Sequence, residues 1–333
     1  MIRRGRIAGC VLAAVAASVI AAPAPAYVPS TLDFLAGAPV VAHWDASSFP
    51  ITTWVTPGLT TDITDGSDRV ALDRAMAAWS GVADSGAAIF VEREQQVQAN
   101  VFDGINAIEF SNSGALDGAG FVTLTFLLIA ADGTIEEADM LVNDRVFGFT
   151  TSAGGSVGLD LETAMLRELG RMLGLTSSPL GGLDGDRTVL EESAVMYSVS
   201  RGVGESARSL RPDDVAGIVA MYPVAGTTRG SISGRVTRNG SAVFGAHVVA
   251  HDPVQDILVG AVTLPDGTYR IDGLPAGRYL LEALPLTAPA GPGTLGGIFL
   301  RDDVDTSFQP SFFAVTVRLG AGQSASGVSV EVG

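Results

Sequence analysis

The sequence predicts an α+β unit followed by a small all-β sandwich. Two observations carry this. Helix-period segments alternate with short apolar runs up to residue 223, and after the stretch "VAGTTRG" (224–230) no helical period returns. From there the chain consists of short alternating runs separated by Asn-Gly, Asp-Gly and Pro-Ala-Gly turns.

The first 26 of the 333 residues read as an export signal, with a basic start (Arg3, Arg4, Arg6), the apolar run "VLAAVAASVIAA" and a small-residue "APA" site. Residues 27–42 form an N-terminal extension, 43–223 the α+β unit, 224–228 a linker and 229–333 the sandwich. The linker reads as a flexible hinge between independently folding units. Cys10 is the one cysteine and leaves with the signal, so the processed chain has no disulfide and no thiolate ligand. All 20 basic residues are Arg. Removing the signal leaves 17 of them against 36 carboxylates, a balance of −19. That balance argues against nucleic acid and anionic membranes as partners. The Lys-free, Ala/Gly/Arg-rich style resembles chains from high-GC bacteria. The expected location is secreted or periplasmic.

In the first unit, "HWDASSFPITTWV" (43–55) reads as a strand. "SDRVALDRAMAAWSG" (67–81) reads as a helix capped by Ser67 or Asp68, with Leu72, Ala75, Met76 and Trp79 on one face. The runs "AAIFVE", "NAIEF", "FVTLTFLLIA" and "IEEADMLVN" read as strands. "LDLETAMLRELGRMLGL" (159–175) is a second helix with Leu161, Met165, Leu169 and Met172 apolar. "RPDDVAGIVAMYP" (211–223) is a third, with Pro212 in its first turn and Val215, Ile218, Val219 and Tyr222 on one stripe.

The stretch "RELGRMLGLTS" (167–177) keeps the rhythm of the zinc-binding helix H-E-x-x-H-x-x-G-x-x-H. Together with "DGTIEEADMLVN", "AVMYS" (194–198) and "LRPDDVAGIVAMYP", it makes residues 43–223 resemble the matrixin branch of the metzincin metalloproteases. The resemblance implies a twisted, mostly parallel sheet with an antiparallel edge strand and three main helices. It implies zinc as cofactor, Glu168 as general base and Met196 as the residue of the Met turn. The ligand positions, however, are Arg167, Arg171 and Ser177. Arg offers no lone pair to a metal. Two guanidinium groups beside a dication would cost on the order of 10 kcal/mol, comparable to the roughly 10–16 kcal/mol of a structural zinc site. No zinc is therefore expected. The expected function is a pseudoenzyme that binds a peptide or a carboxylate-bearing ligand. The alternative is an active endopeptidase with a non-standard metal site, and a third reading is a structural protein with a vestigial cleft. "DGTYRIDGLPAGRY" (266–279) makes the second unit resemble the carboxypeptidase regulatory-like, prealbumin-type sandwich.

The residues themselves also allow plainer roles. Glu168 and Arg171, three apart on a helix, form an ion pair. Arg167 and Arg171 either lie on a solvated face or point into the cleft, where Glu168 and an acidic residue of the 181–193 loop would compensate them. "LDGD" (183–186) and "RDDVDTS" (301–307) are weak calcium candidates. His247 and His251 share one strand face and read as ordinary exposed histidines.

Overall fold

The computed structural model describes residues 31–32, 40–181, 194–198, 201–288, 290–295 and 297–333. The chain is mixed α/β, with few helices, several sheets and a sandwich-like C-terminal region. The export signal and the 182–193 loop with its "LDGD" lie outside the described residues. Among those described, no helix is long and apolar enough to cross a membrane.

The first half is built on one five-stranded sheet. Its strands are β1 (Ile51–Val55), β2 (Ile89–Glu94), β3 (Ala107–Ser111), β4 (Thr123–Ile129) and β5 (Ile135–Asn143), in the order β2-β1-β3-β5-β4. β1, β2, β3 and β5 run parallel to their neighbours, and β4 pairs with β5 antiparallel at the edge. Helices α1 (Ser67–Ser80) and α2 (Leu161–Met172) pack on each other against this sheet. The core between them holds Leu72, Ala75, Met76, Trp79, Met140, Met165 and Leu169. The apolar spacing of both helices explains this, since each turns one continuous stripe inward. The Trp79 indole N–H is satisfied by the Leu166 carbonyl at 2.7 Å, which ties α1 to α2.

Two local readings need correction. The 43–55 segment is a strand only over 51–55. Asp45 instead caps a short 3-10 turn at 46–48, ahead of Pro50. Neither Ser67 nor Asp68 caps α1. Gly66 stands at that position in the left-handed region, and Asp65 accepts the Ser67 N–H at 3.0 Å.

The second half has two facing sheets. One pairs β6 (Gly230–Arg238) with β9 (Thr268–Leu274), the other orders β8 (Ile257–Val262), β7 (Ala246–Asp252) and β10 (Gly277–Pro285). Short segments at 324–325 and 330–331 add to β6, while 311–312 and 317–319 add to β10. Asn239 and Gly240 both have positive φ, as a tight hairpin turn requires. The returning arm pairs for only two residues, 241–242, before the chain crosses to the other sheet.

The third helix, α3 (Pro212–Met221), belongs to both halves. Ile218, Val219 and Tyr222 enter the first core, as their stripe predicts, while Ala216 sits among the sandwich core residues. A methyl group on Gly273 would fall 2.4 Å from the Ala216 carbonyl oxygen, so helix and strand β9 meet backbone to backbone. The Asp213 carboxylate accepts the Gly260 N–H of β8 at 2.9 Å. Arg229 pairs with Asp84 at 2.9 Å, and Val224 N–H bonds the Asp84 carbonyl at 3.0 Å. The 224–230 stretch, which the sequence alone reads as a free hinge, thus carries two bonds to Asp84 of the first unit.

Candidate functional site

The second helix starts because Asp160 accepts the Thr163 N–H at 2.8 Å, and Arg208 holds the same carboxylate from outside. Its apolar stripe (Leu161, Met165, Leu169, Met172) is fully buried, which fixes the rotation of the remaining residues. Arg167 and Arg171 therefore rise away from that stripe, Arg167 toward the turn at 194–198, while Glu168 lies at the buried edge of the stripe and reaches strand β4.

Glu168 is buried, and its two oxygens are both engaged. Thr125 of β4 donates its hydroxyl to Oε2 at 2.7 Å, and Arg171 Nε lies 3.3 Å from Oε1. The Arg171 contact is an ion pair without hydrogen-bond alignment, because the buried Nε–H finds no acceptor along its axis. The expected Glu168–Arg171 pair is therefore present, and Thr125 is a partner that sequence spacing alone did not reveal. Arg171→Ala is expected to destabilise the protein by roughly 1–3 kcal/mol, because it leaves a buried carboxylate with one neutral partner. Urea unfolding checks this, and a loss below about 0.5 kcal/mol would mark an ordinary surface residue.

Arg167 donates to the Tyr197 carbonyl oxygen. Burial, and then the charge of Arg171, lower its pKa to about 10, so it stays charged at neutral pH. Arg201 adds a third guanidinium to the same neighbourhood, with Glu168 and Asp214 as the opposing charges. Arg167 and Arg171 thus do not sit on a freely solvated face.

The 194–198 turn is fastened from below. Asp214 accepts N–H groups from Val195 at 2.8 Å, from Met196 at 3.0 Å and from Arg211 at 2.9 Å. The Arg211 bond is the one an acidic residue at the third helical position makes to its own helix start, and the sequence carried that signal in "RPDD". Met196 is buried against α2. Its sulfur lies 2.6 Å from where a methyl on Gly170 would stand, and Trp79 lies at 2.8 Å from the same point. Only glycine fits at 170.

Ser177 is buried, and the adjacent Ser178 pairs with Tyr197, the residue whose carbonyl accepts from Arg167. Ser178 also donates its hydroxyl to Asp213 at 2.7 Å. Asp213 is thus shared between Ser178 and Gly260 of the sandwich. Burial pushes its carboxyl up to about 7. Asp214, equally buried, is raised for the same reason.

His247 does not follow the expectation of an exposed histidine. It is 7 % exposed, its Nε2 has no partner, and it lies against Gly260 of the neighbouring strand. Burial lowers its pKa to about 4, so it is neutral. Among the described residues no three His, Cys, Asp or Glu side chains gather as a metal site would need. The 301–307 segment accordingly offers no such group: Arg301 binds Asp303, while Asp305 accepts from Ser307.

The family model of the carboxypeptidase regulatory-like domain matches residues 231–291. The match runs from β6 through β10. No curated protein matches the chain.

Proposed function

We propose that this is an exported, matrixin-like protein whose cleft over α2 has exchanged zinc for arginine and binds the carboxylate of a peptide without cutting it. The observation that supports this most is Arg167, a largely buried guanidinium whose nearest charged neighbours include Arg171 and Arg201. Glu168 is already engaged by Thr125 and Arg171, and Asp214 by three backbone N–H groups. Arg167 thus keeps its charge in a site with little water beside a second guanidinium, where an anionic partner gains most. Guanidinium groups suit a carboxylate because their N–H groups match its two oxygens. Export is supported by the pattern of the first 26 residues.

The same engagement of Glu168 speaks against the peptidase alternative, which needs that carboxylate to activate a water. The test is a titration of the mature protein with an N-acetylated peptide bearing a free C-terminal carboxylate, beside its C-terminal amide. The free acid is expected to bind about tenfold tighter or more, the size of a charge-assisted hydrogen bond, and Arg167→Met is expected to abolish the difference. Equal binding of acid and amide would refute the carboxylate reading. One zinc per chain retained through gel filtration, with peptide cleavage, would establish the peptidase instead.

A further inference from the structure

On the face of the five-stranded sheet turned away from α2, several carboxylates lie on neighbouring strands. Strands β3 and β5 are parallel, with Ile108 opposite Met140. Alternation then puts Ile105, Ala107 and Glu109 on the same face as Glu137 and Asp139, away from the helices. The 95–106 segment crosses over this face. A cavity of about 480 Å³ lies there, lined by Gln95, Gln96, Val97, Gln98, Val101, Asp103, Ile105, Ala107 and Glu109. No basic residue lines it.

The carboxylates fasten the covering segment. Glu109 accepts the Ala99 N–H at 2.9 Å, Asp139 accepts Asn100 at 2.7 Å and Ala107 at 2.9 Å, and Glu137 accepts Gly104. This leaves oxygens over. Glu137 is 2 % exposed, yet its Oε1 has no partner. No ion pair among the described residues engages Asp103, Glu109, Glu137 or Asp139. A buried carboxylate oxygen without a donor is costly, and native structures seldom leave one without a reason. Burial raises Glu137 and Asp139 above the usual carboxylate range, and neighbouring carboxylates add to it.

We propose that this cavity is a binding site for the guanidinium or ammonium end of a basic side chain presented by a peptide or protein. Asp103 and Glu109 supply the charge at the wall, while Glu137 lies on the same sheet face outside the lining and holds the Gly104 N–H of the covering segment. Val97, Ile105 and Ala107 offer apolar contact for the methylene stem. Gln95, Gln96 and Gln98 bring amides that both donate and accept, as a peptide backbone requires. A bare metal ion fits poorly, because no three ligating side chains converge and the cavity is much wider than an ion.

The experiment is a titration of the full mature chain at low ionic strength, read by the backbone amide shifts of Ala99, Gly104 and Ala107. The probes are N-acetyl-arginine-N-methylamide, its neutral citrulline analogue, agmatine and calcium chloride. The arginine amide is expected to give saturable shifts in about the millimolar range. The citrulline analogue should bind about tenfold more weakly or worse, since it lacks the charge. The double variant Asp103→Asn, Glu109→Gln should keep its melting temperature within a few degrees and lose the response, and Arg167→Met should keep it. That last arm separates this site from the cleft over α2. Equal response to citrulline, or an unchanged response in the folded double variant, would overturn the site. Agmatine binding more tightly than the arginine amide would overturn the peptide as its source. Calcium producing the same shifts and excluding the arginine amide would reassign it to a metal.

Discussion

Asp214→Ala is expected to cost roughly 4 kcal/mol of stability, the work of three backbone N–H groups losing one shared acceptor. Each such group costs about 1–3 kcal/mol when buried and unpaired, and relaxation keeps the total below the sum. The three groups are those of Val195, Met196 and Arg211, so the loss falls on two structures at once. One is the start of α3, the other the turn that presents Met196 and Tyr197 to α2. Asp214→Asn keeps a carbonyl acceptor and should cost about half as much. Denaturant unfolding of both variants measures this. A loss under about 1 kcal/mol for Asp214→Ala would mean that other contacts hold the turn.

The second large effect is a dependence on pH. The folded pKa of Asp213 is raised to about 7, above the ordinary unfolded value near 4. Between these values the folded state binds more protons than the unfolded one, so stability falls as pH rises across about 4 to 7. Asp214 lies beside it and is raised by burial as well, while His247, behind Gly260, is neutral down to about pH 4 and so contributes the opposite slope. Asp213→Asn removes only the Asp213 contribution and preserves an acceptor for the Gly260 N–H. The variant should gain on wild type as pH rises, the difference in unfolding free energy shifting by roughly 3 kcal/mol from pH 5 to pH 8. Unfolding curves at the two pH values measure it. A difference constant within about 0.5 kcal/mol would show that Asp213 ionises normally.

Much of the fold is legible in the chain because local pattern and tertiary burial agree. Residues 135–143 are read to their ends as a strand, and the apolar spacing of α1 and α2 identifies the buried faces. The 43–55 stretch reads as one strand, since its alternation continues through Asp45 and Pro50, where side-chain capping and a missing N–H stop a strand. On α2, helical spacing foretells the Glu168–Arg171 pair. It is silent on Thr125, 43 residues away, and on Tyr197, whose contribution is a backbone carbonyl. His247 misled for a related reason. Period 2 assigns it to the outer sheet face, and only the fold covers that face: Val262, its cross-strand partner, packs with Leu286, Leu295 and Phe299. The outer-face carboxylates were likewise unread, because their meaning depends on which strands are neighbours.

The sharing of α3 has a consequence for biosynthesis. The helix leaves the ribosome before any of the strands that complete its far side. Ala216 waits for Gly273, and Asp213 for Gly260, about 50–60 residues later. At about 5–20 residues per second, that interval lasts several seconds. During it the nascent chain carries an apolar helix face and a half-satisfied carboxyl at its growing end. The first unit is therefore finished by material that belongs to the second, and release of the last strands closes both together.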